Sequence, residues 1–315
     1  MVATFFPPQR QQPQVVDSRI IRDLRRAGIS TEPYVPPSAL KGLEDKEPDG
    51  PDLSETKITA GYLVSRRRLG DMPLHSSVRE LPNNLVAKWG KRVHPGEAYV
   101  LKYIEAEGVR LPVPRVYACF KEEESGYWCI IMDKITGTSL EITRDGYSPA
   151  QQDEVTEQLR AMLASLRVHQ RKEIGSFSTN LNVGPASDRF FLSRDRAGPF
   201  AREQDFVTAL GLALRARCND NITEGAIAML NAVPRTDRFV LTNGRLGLDN
   251  ILVRGTKIVG ILSWSQAGFY PQYWEYAKAA FFDNDFFDPA NVIRLALDPY
   301  LPELSAMLHV RDIVY

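Results

Sequence analysis

Residues that bind metals or form disulfides are scarce in this chain. It has three cysteines and four histidines among 315 residues. Cys119, Cys129 and Cys218 show no CxxC spacing and leave one thiol over in any pairing scheme, so we expect reduced core cysteines. The histidines form no cluster with cysteine or aspartate at ligand spacing, and no metal site is expected from them.

An excess of charge of one sign is also absent. Lysine plus arginine and aspartate plus glutamate number 39 each, so net charge gives no reason to expect a nucleic acid, a membrane surface or a polyacidic partner. No uncharged apolar run approaches the roughly 20 residues of a membrane span. The start, MVATFFPPQRQQPQ, lacks the leading positive charge of a signal peptide. We expect a cytoplasmic protein.

Composition and the positions of helix- and strand-breaking residues divide the chain into three parts. With 43% hydrophobic residues, it can form one large or two modest cores. Residues 1–57 read as an extension with a short helix near 16–29 and a proline-rich linker. Residues 58–135 alternate like strands around one helix, and residues 136–315 are mostly helical. This order predicts an α+β fold with two lobes.

Short β-branched or aromatic runs predict strands, and apolar residues at helical spacing predict helices. The runs LHSSVREL, NNLVAKWG, PRVYACFKEE and GYWCIIMDKI are the strands of the first lobe, with a helix in HPGEAYVLKYIEAEG. In the second lobe, RFVLT, NILVR and KIVGILSW predict strands. The clearest helix begins at Ser148 and Pro149, where Gln151 completes a capping box.

The string ILVRGTKIVGILSWSQAGFYPQYWEYAKA resembles the fungal branch of the aminoglycoside phosphotransferase family. In that branch a loop HGDxxxxN precedes a strand, a second aspartate ends the next strand, and an aromatic segment follows. MDKITGTSL, IGSF and GPFAREQDF stand in the expected order, so the resemblance covers roughly residues 80–285. It implies a protein-kinase-like fold.

The resemblance assigns the nucleotide-binding positions of the first lobe. Lys88 stands where the family has its phosphate-binding lysine. Glu97 shares a helical stripe with Leu101 and Ile104, which is an unusual place for an acid unless it meets a buried cation. We therefore expect Glu97 to pair with Lys88. Asp133, in MDKITGTSL, is expected at the ligand cleft.

The catalytic loop, TNGRLGLDN, departs from the family pattern. When Asn250 is matched to the metal-binding asparagine, Asn243 falls at the histidine and Arg245 at the catalytic aspartate. The carboxylate that accepts or orients the attacking hydroxyl is missing, and a guanidinium cannot accept a proton. Asp249 stands where the family is commonly basic, so Arg245 and Asp249 predict a swapped ion pair that holds the loop.

The second departure is at Ser263, where the family has a magnesium-binding aspartate. Serine is a weak ligand for a hard cation, so Asn250 alone remains of the two protein ligands. The stretch before LVAKWG has no glycine-rich phosphate loop. We expect binding of ATP and magnesium to be weak or lost.

The aromatic segment has two interpretations. Its six aromatic residues lack interleaved basic residues, which favours a core role over base stacking. Phe269 and Tyr270 are also candidates for the edge of an acceptor cleft. The six residues are Trp264, Phe269, Tyr270, Tyr273, Trp274 and Tyr276.

Three functions compete at this point. The first is a pseudoenzyme that binds a small organic molecule and carries out cyclisation, isomerisation or elimination in small-molecule metabolism. The second is a non-catalytic pseudokinase that binds a protein partner or a nucleotide, and the third is a divergent phosphotransferase. The candidate catalytic residues are Arg245, Asn243, Ser263 and Asp249. The candidate ligand-contacting residues are Lys88, Glu97, Asn250, Asp133, Phe269 and Tyr270.

Overall fold

The computed structural model describes residues 58–69, 77–178, 181–188, 190–191, 197–283 and 285–314. The predicted extension at 1–57 and its helix lie outside the described residues. The chain divides into two compact units, the first comprising Met1–Glu105 and Pro114–Ile135, the second Ala106–Val113 and Thr136–Tyr315. The described residues combine an antiparallel sheet in the first unit with a largely helical second unit, which confirms the α+β class.

The first unit is built around a five-stranded antiparallel sheet in the order β1-β2-β3-β5-β4. The β2–β3 hairpin turns through Asn83 and Asn84, whose positive φ angles asparagine tolerates better than most residues. The elements from residue 60 onward are α1 (Ala60–Ser65), β1 (Arg68–Leu69), β2 (Ser77–Leu81), β3 (Leu85–Gly90), α2 (Gly96–Ala106), β4 (Val116–Lys121) and β5 (Trp128–Asp133).

Both faces of this sheet are covered because its central strands are apolar on both sides. On one face, Leu63 of α1 packs in a cluster that includes Ala87 and Ile131 of the sheet. Lys88 follows Ala87 and so points to the opposite face, where it meets Glu97 of α2. The alternation of β3 thus points Ala87 and Lys88 to opposite faces of the sheet.

The second unit contains two small sheets and the remaining helices. Its sheets have the orders β11-β10-β6 and β7-β9-β12-β8. The strands are β6 (Thr138–Ser139), β7 (Gln170–Arg171), β8 (Gly175–Ser176), β9 (Phe239–Thr242), β10 (Ile251–Arg254), β11 (Lys257–Ile261) and β12 (Gly268–Pro271). The helices are α3 (Leu140–Thr143), α4 (Pro149–Arg167), α5 (Glu203–Arg215), α6 (Asn221–Ala232), α7 (Trp274–Phe282), α8 (Val292–Ala296) and α9 (Leu301–Val314).

Helix α4 begins where the sequence predicts. The Ser148 side chain accepts the Gln151 N–H, and the Gln151 side chain accepts the Ser148 N–H, so both halves of the capping box form. Apolar residues at helical spacing form a stripe on the buried side of α4, with Met162 half-buried. The fully buried ones are Val155, Leu159, Leu163 and Leu166.

An aromatic core holds β12 and α7 against α5. Trp274 stacks on Tyr270 with the ring planes 11° apart, and its edge meets Phe206 at a centroid distance of 5.0 Å. Large aromatic side chains bury much apolar surface each, so this cluster fixes α7 beneath the loop that follows β9. Among the described helices, none has the length and apolar character needed to cross a membrane.

Candidate functional site

The predicted pair in the first unit is present. Lys88 Nζ lies 2.7 Å from Glu97 Oε1 and 2.6 Å from Oε2. The two side chains are 9% and 3% exposed, so each charge is compensated by the other away from water. The pairing confirms the inference drawn from the periodicity of α2. A ligand-binding role for either residue stays a prediction.

Asp133 ends β5, and its carboxylate is used within its own unit. It accepts hydrogen bonds from the Tyr117 hydroxyl at 2.8 Å and from the Arg115 N–H at 3.3 Å. Burial, together with the neighbouring Asp133 carboxylate, raises the pKa of Tyr117. Contact between Asp133 and a ligand stays a prediction.

In the second unit, the loop from Asn243 to Asn250 is shaped by a buried acid that sequence reasoning missed. Glu275 of α7 accepts the N–H of Asn243 at 2.6 Å and that of Gly244 at 3.0 Å. Burial raises the pKa of the Glu275 carboxyl, and these two N–H groups oppose the rise. The sequence did contain a signal for this role, because Glu275 is an acidic residue between aromatic residues in the segment YWEYA.

Gly244 makes the turn possible. Its φ is +73°, and a Cβ there would lie 2.6 Å from the backbone oxygen of Gln266. The Asn243 side chain then accepts the Arg245 N–H at 3.0 Å. Asn243 is fully buried, so it shapes the loop from below, and its predicted catalytic role stays untested.

The predicted swapped ion pair forms across this loop. Arg245 donates to Asp249 over Nη1–Oδ1 and Nη2–Oδ2 distances of 3.4 and 3.1 Å. The Asn250 amide donates to Asp249 Oδ1 at 3.0 Å and to the Arg245 carbonyl at 3.3 Å. Arg245 Cζ also lies 4.1 Å from the centroid of the Phe282 ring. The loop is thus closed by its own polar groups.

Ser263 lies two residues beyond β11 and has a backbone conformation that is rare for serine. Its φ is +63°, in the left-handed region. Such a residue costs about 1–2 kcal/mol relative to ordinary backbone. Strain of this kind persists only where the surroundings fix it, and it clusters at functional sites.

A second buried ion pair lies near the loop and was not predicted. Lys278 Nζ contacts both carboxylate oxygens of Asp188, at 3.0 and 2.9 Å, and Gln266 Oε1 at 3.1 Å. Both charged side chains are fully buried. The ammonium also lies over the rings of Phe190 at 4.4 Å and Phe282 at 5.2 Å. Phe282 therefore contacts two cations, Arg245 and Lys278.

Two sets of expectations need correction. Phe269 and Tyr270 do not edge a cleft: they are 1% and 0% exposed, because their rings pack against Phe177 and Trp274, respectively. Cys218 is not a core residue. It is exposed and donates to Asp220 at 3.2 Å beyond the end of α5, whereas Cys119 and Cys129 are buried as expected.

No group of three or more metal-ligating side chains lies close enough to hold a metal ion in the part of the chain that the structure describes. Around the loop, the carboxylates of Asp249, Asp188 and Glu275 are engaged by cations or by backbone N–H groups.

Comparison with protein-family models gives no match. Comparison with curated proteins gives none either. Solved structures do match. Aminoglycoside phosphotransferase APH(4)-Ia aligns with a TM-score of 0.55 at 15% identity, over 80% of this chain and 86% of that one.

A thermostable mutant of APH(4)-Ia in ternary complex with ADP and hygromycin B aligns at 0.54 and 14% identity, over 82% of this chain and 89% of that one. ADP-bound aminoglycoside phosphotransferase APH(2'')-Ib aligns with a TM-score of 0.50 at 14% identity, over 77% of this chain and 80% of that one. At these identities the likeness establishes the fold, while function has to be argued from the site. The chain has the protein-kinase-like fold of the aminoglycoside phosphotransferases.

Proposed function

We propose that the chain binds a small organic molecule at the loop from Asn243 to Asn250 and catalyses a reaction other than phosphoryl transfer, such as cyclisation, isomerisation or elimination, in cytoplasmic small-molecule metabolism. The observation that carries this proposal is the Arg245–Asp249 pair. The resemblance assigns the position of Arg245 to the catalytic aspartate, so a guanidinium stands where a carboxylate is expected. A fixed guanidinium can stabilise negative charge that develops on a substrate oxygen.

Three features argue against phosphoryl transfer. Arg245 cannot accept a proton from an attacking hydroxyl. Ser263 offers a neutral oxygen in place of a carboxylate ligand, which binds magnesium poorly. Asp249 is the nearby carboxylate in the loop, but it is already engaged by Arg245 and Asn250. Binding of ATP and magnesium is therefore proposed to be weak or lost.

One observation favours a second candidate function, nucleotide or partner binding without turnover. The Lys88–Glu97 pair keeps hydrogen-bond geometry, at 2.6–2.7 Å. In protein kinases a pair of this kind is in place when the phosphates are held. A divergent phosphotransferase remains the third candidate, because APH(4)-Ia shares the fold and its mutant binds ADP and hygromycin B.

Thermal unfolding with and without magnesium and ATP separates these candidates. The proteins compared are wild type and the double variant Arg245→Asp/Ser263→Asp, which restores both carboxylates. The matched control is Lys257→Asp/Ser305→Asp, which makes the same change of charge at exposed positions. A ligand at 100 times its Kd adds about 2.7 kcal/mol to stability, so binding produces a clear rise in Tm.

The proposal predicts no shift for wild type or the control and a shift for the restored variant. A magnesium-dependent shift of wild type would overturn the loss of metal-nucleotide binding. A shift of wild type with ATP alone would favour the second candidate, nucleotide binding without turnover.

A further inference from the structure

The Arg245 guanidinium is fixed on two sides. Asp249 meets it along the Nη1/Nη2 edge, at 3.4 and 3.1 Å. Phe282 covers it at 4.1 Å between Cζ and the ring centroid, a cation–π distance. A carboxylate at one edge and a ring beneath restrict rotation about the end of the side chain. The donors are thereby oriented before any ligand arrives, which lowers the entropy cost of binding.

The positive charges around the loop are compensated. Asp249 balances Arg245, and Asp188 balances the buried ammonium of Lys278. Glu275, behind the loop, adds no positive charge in either protonation state. The polar groups at 243 and 263 are neutral. A phosphate or carboxylate ligand would therefore meet no excess positive charge from these residues, although it would lose its hydration on binding.

The loop keeps hydrogen-bond donors for a ligand although the charge of Arg245 is compensated by Asp249. A guanidinium carries five N–H donors, of which the Asp249 contacts use one on each Nη. Arg245 is 25% exposed, so an oxygen atom of a small molecule can reach it. A charge-compensated donor suits a neutral carbonyl oxygen, and the same donor stabilises an oxyanion that forms during a reaction.

We infer that the ligand of this loop is an uncharged molecule that presents a carbonyl oxygen to Arg245, with Asp249 and Phe282 as positioning residues. This inference rests on the proposed function and names the chemical class of the molecule bound. Asp249 sets the charge preference of the loop, and Phe282 sets the orientation of the guanidinium.

The test compares two fragments that differ in charge. Benzamide presents a neutral carbonyl and benzoate a carboxylate, with the same ring. Their affinities for the full chain are measured by ligand-observed NMR titration. The variants are Asp249→Asn, Phe282→Leu and Arg245→Met. Asp298→Asn is the matched control, because it removes the exposed partner of Arg167 in the same unit.

Wild type is expected to bind benzamide more tightly than benzoate. Asp249→Asn should strengthen benzoate binding about fivefold, the effect in water of one charge about 4 Å away. It should not strengthen benzamide binding, because benzamide carries no charge and the variant loses one of the two contacts that orient the guanidinium. Phe282→Leu should weaken benzamide binding about threefold because it removes the cation–π contact. Arg245→Met should abolish the preference, whereas the control should change neither affinity.

The outcomes also separate this inference from the function beneath it. Tighter binding of benzoate by wild type, or no gain for benzoate in Asp249→Asn, overturns the charge argument and leaves small-molecule binding at the loop intact. If neither fragment binds any protein in a way that depends on Arg245, the proposed site fails as well. Circular dichroism of each variant shows that a lost signal comes from a folded chain.

Discussion

Replacing Asp188 with asparagine should destabilise the second unit by about 3–5 kcal/mol, the usual cost of removing one partner of a buried ion pair. The reason is the environment of Lys278, whose ammonium is fully buried and contacts both oxygens of this carboxylate. Asparagine keeps the size of the side chain but carries no charge. The ammonium would then lose the carboxylate that contacts it directly, while it stays buried among aromatic rings.

The remaining contacts of Lys278 do not replace the carboxylate. Gln266 Oε1 at 3.1 Å accepts one hydrogen bond, and the rings of Phe190 and Phe282 add cation–π attraction. A desolvated cation–π contact contributes about 2 kcal/mol or more, but these contacts are already present in wild type and are not gained when the carboxylate is lost. Desolvation of the ammonium still costs several kcal/mol, so Asp188→Asn remains destabilising.

Thermal unfolding followed by circular dichroism measures the effect. At about 2–4 °C per kcal/mol for a domain of this size, Asp188→Asn should lower Tm by about 6–20 °C. The control Asp298→Asn breaks an ion pair whose acid is 82% exposed, and should cost about 0–1 kcal/mol. The double variant Asp188→Asn/Lys278→Met removes both charges and should be more stable than either single variant.

Two results would refute this reasoning. A loss below about 1 kcal/mol in Asp188→Asn would mean that water or a movement of the chain solvates Lys278, as at an exposed pair. A double variant whose loss equals the sum of the two single losses would mean that the two charges do not interact.

Three further substitutions test the fold around the site. Ser148→Ala should cost about 0.5–2 kcal/mol in urea unfolding because it removes the helix cap, and no loss would contradict the capping box. Gly255→Ala should lower the free energy of unfolding by about 1–2 kcal/mol because of its positive φ alone. Gly244→Ala should lower it clearly more, because its Cβ would also collide with the backbone of Gln266. Equal losses of stability in the two variants would mean that this collision does not occur. Burial raises the pKa of Glu122, but hydrogen bonds from its turn outweigh this and lower it. Glu122→Gln should therefore lower the free energy of unfolding at neutral pH, and its difference from wild type should shrink below pH 4.5, the ordinary pKa of a glutamate. A difference that grows as the pH falls would contradict a lowered pKa. Glu124→Gln, which removes an equal charge from the same turn, is the control.

The sequence predicts the elements well where periodicity and capping agree. Helix α4 begins at Ser148 because the cap residues and the apolar stripe point to the same boundary. The Lys88–Glu97 pair was predictable for a similar reason. An acid on an apolar stripe of α2 needs a cation, and the alternation of β3 supplies one on a single face.

The Asp188–Lys278 pair could not be predicted from the periodicity of the sequence, because only Lys278 lies in a periodic element. The two residues are 90 positions apart, and Asp188 lies in an irregular segment whose local pattern does not indicate a buried side. Lys278 did carry a signal, since it follows Trp274 by four residues on the buried helix α7. The rule that found Glu97 would have flagged it, but not its partner.

Cys218 and Tyr270 show how context overrides residue type. Cysteine is among the most buried residues in general, yet Cys218 follows the last turn of α5 and lies at the surface. There it donates to Asp220, the residue that caps the start of α6. Tyr270 has a polar tip that suits a cleft edge. Its strand lies between two others, and its hydroxyl meets the Ser176 hydroxyl at 3.2 Å inside the core. The burial of Tyr270 agrees with the core role that the composition of its segment favours, whereas the exposure of Cys218 cannot be obtained from its residue type.

The backbone at Ser263 bears on the proposed loss of a carboxylate at this position. A left-handed serine is strained, and neither strand propensity nor side-chain size explains it. Aspartate enters this region more readily than most residues, so the frame is compatible with the aspartate that the family has here. Glu275 fixes the backbone of Asn243 and Gly244 just before position 245. The proposed departure from the family pattern therefore concerns side chains, and Arg245→Asp/Ser263→Asp is designed to change the chemistry of the loop without changing its fold.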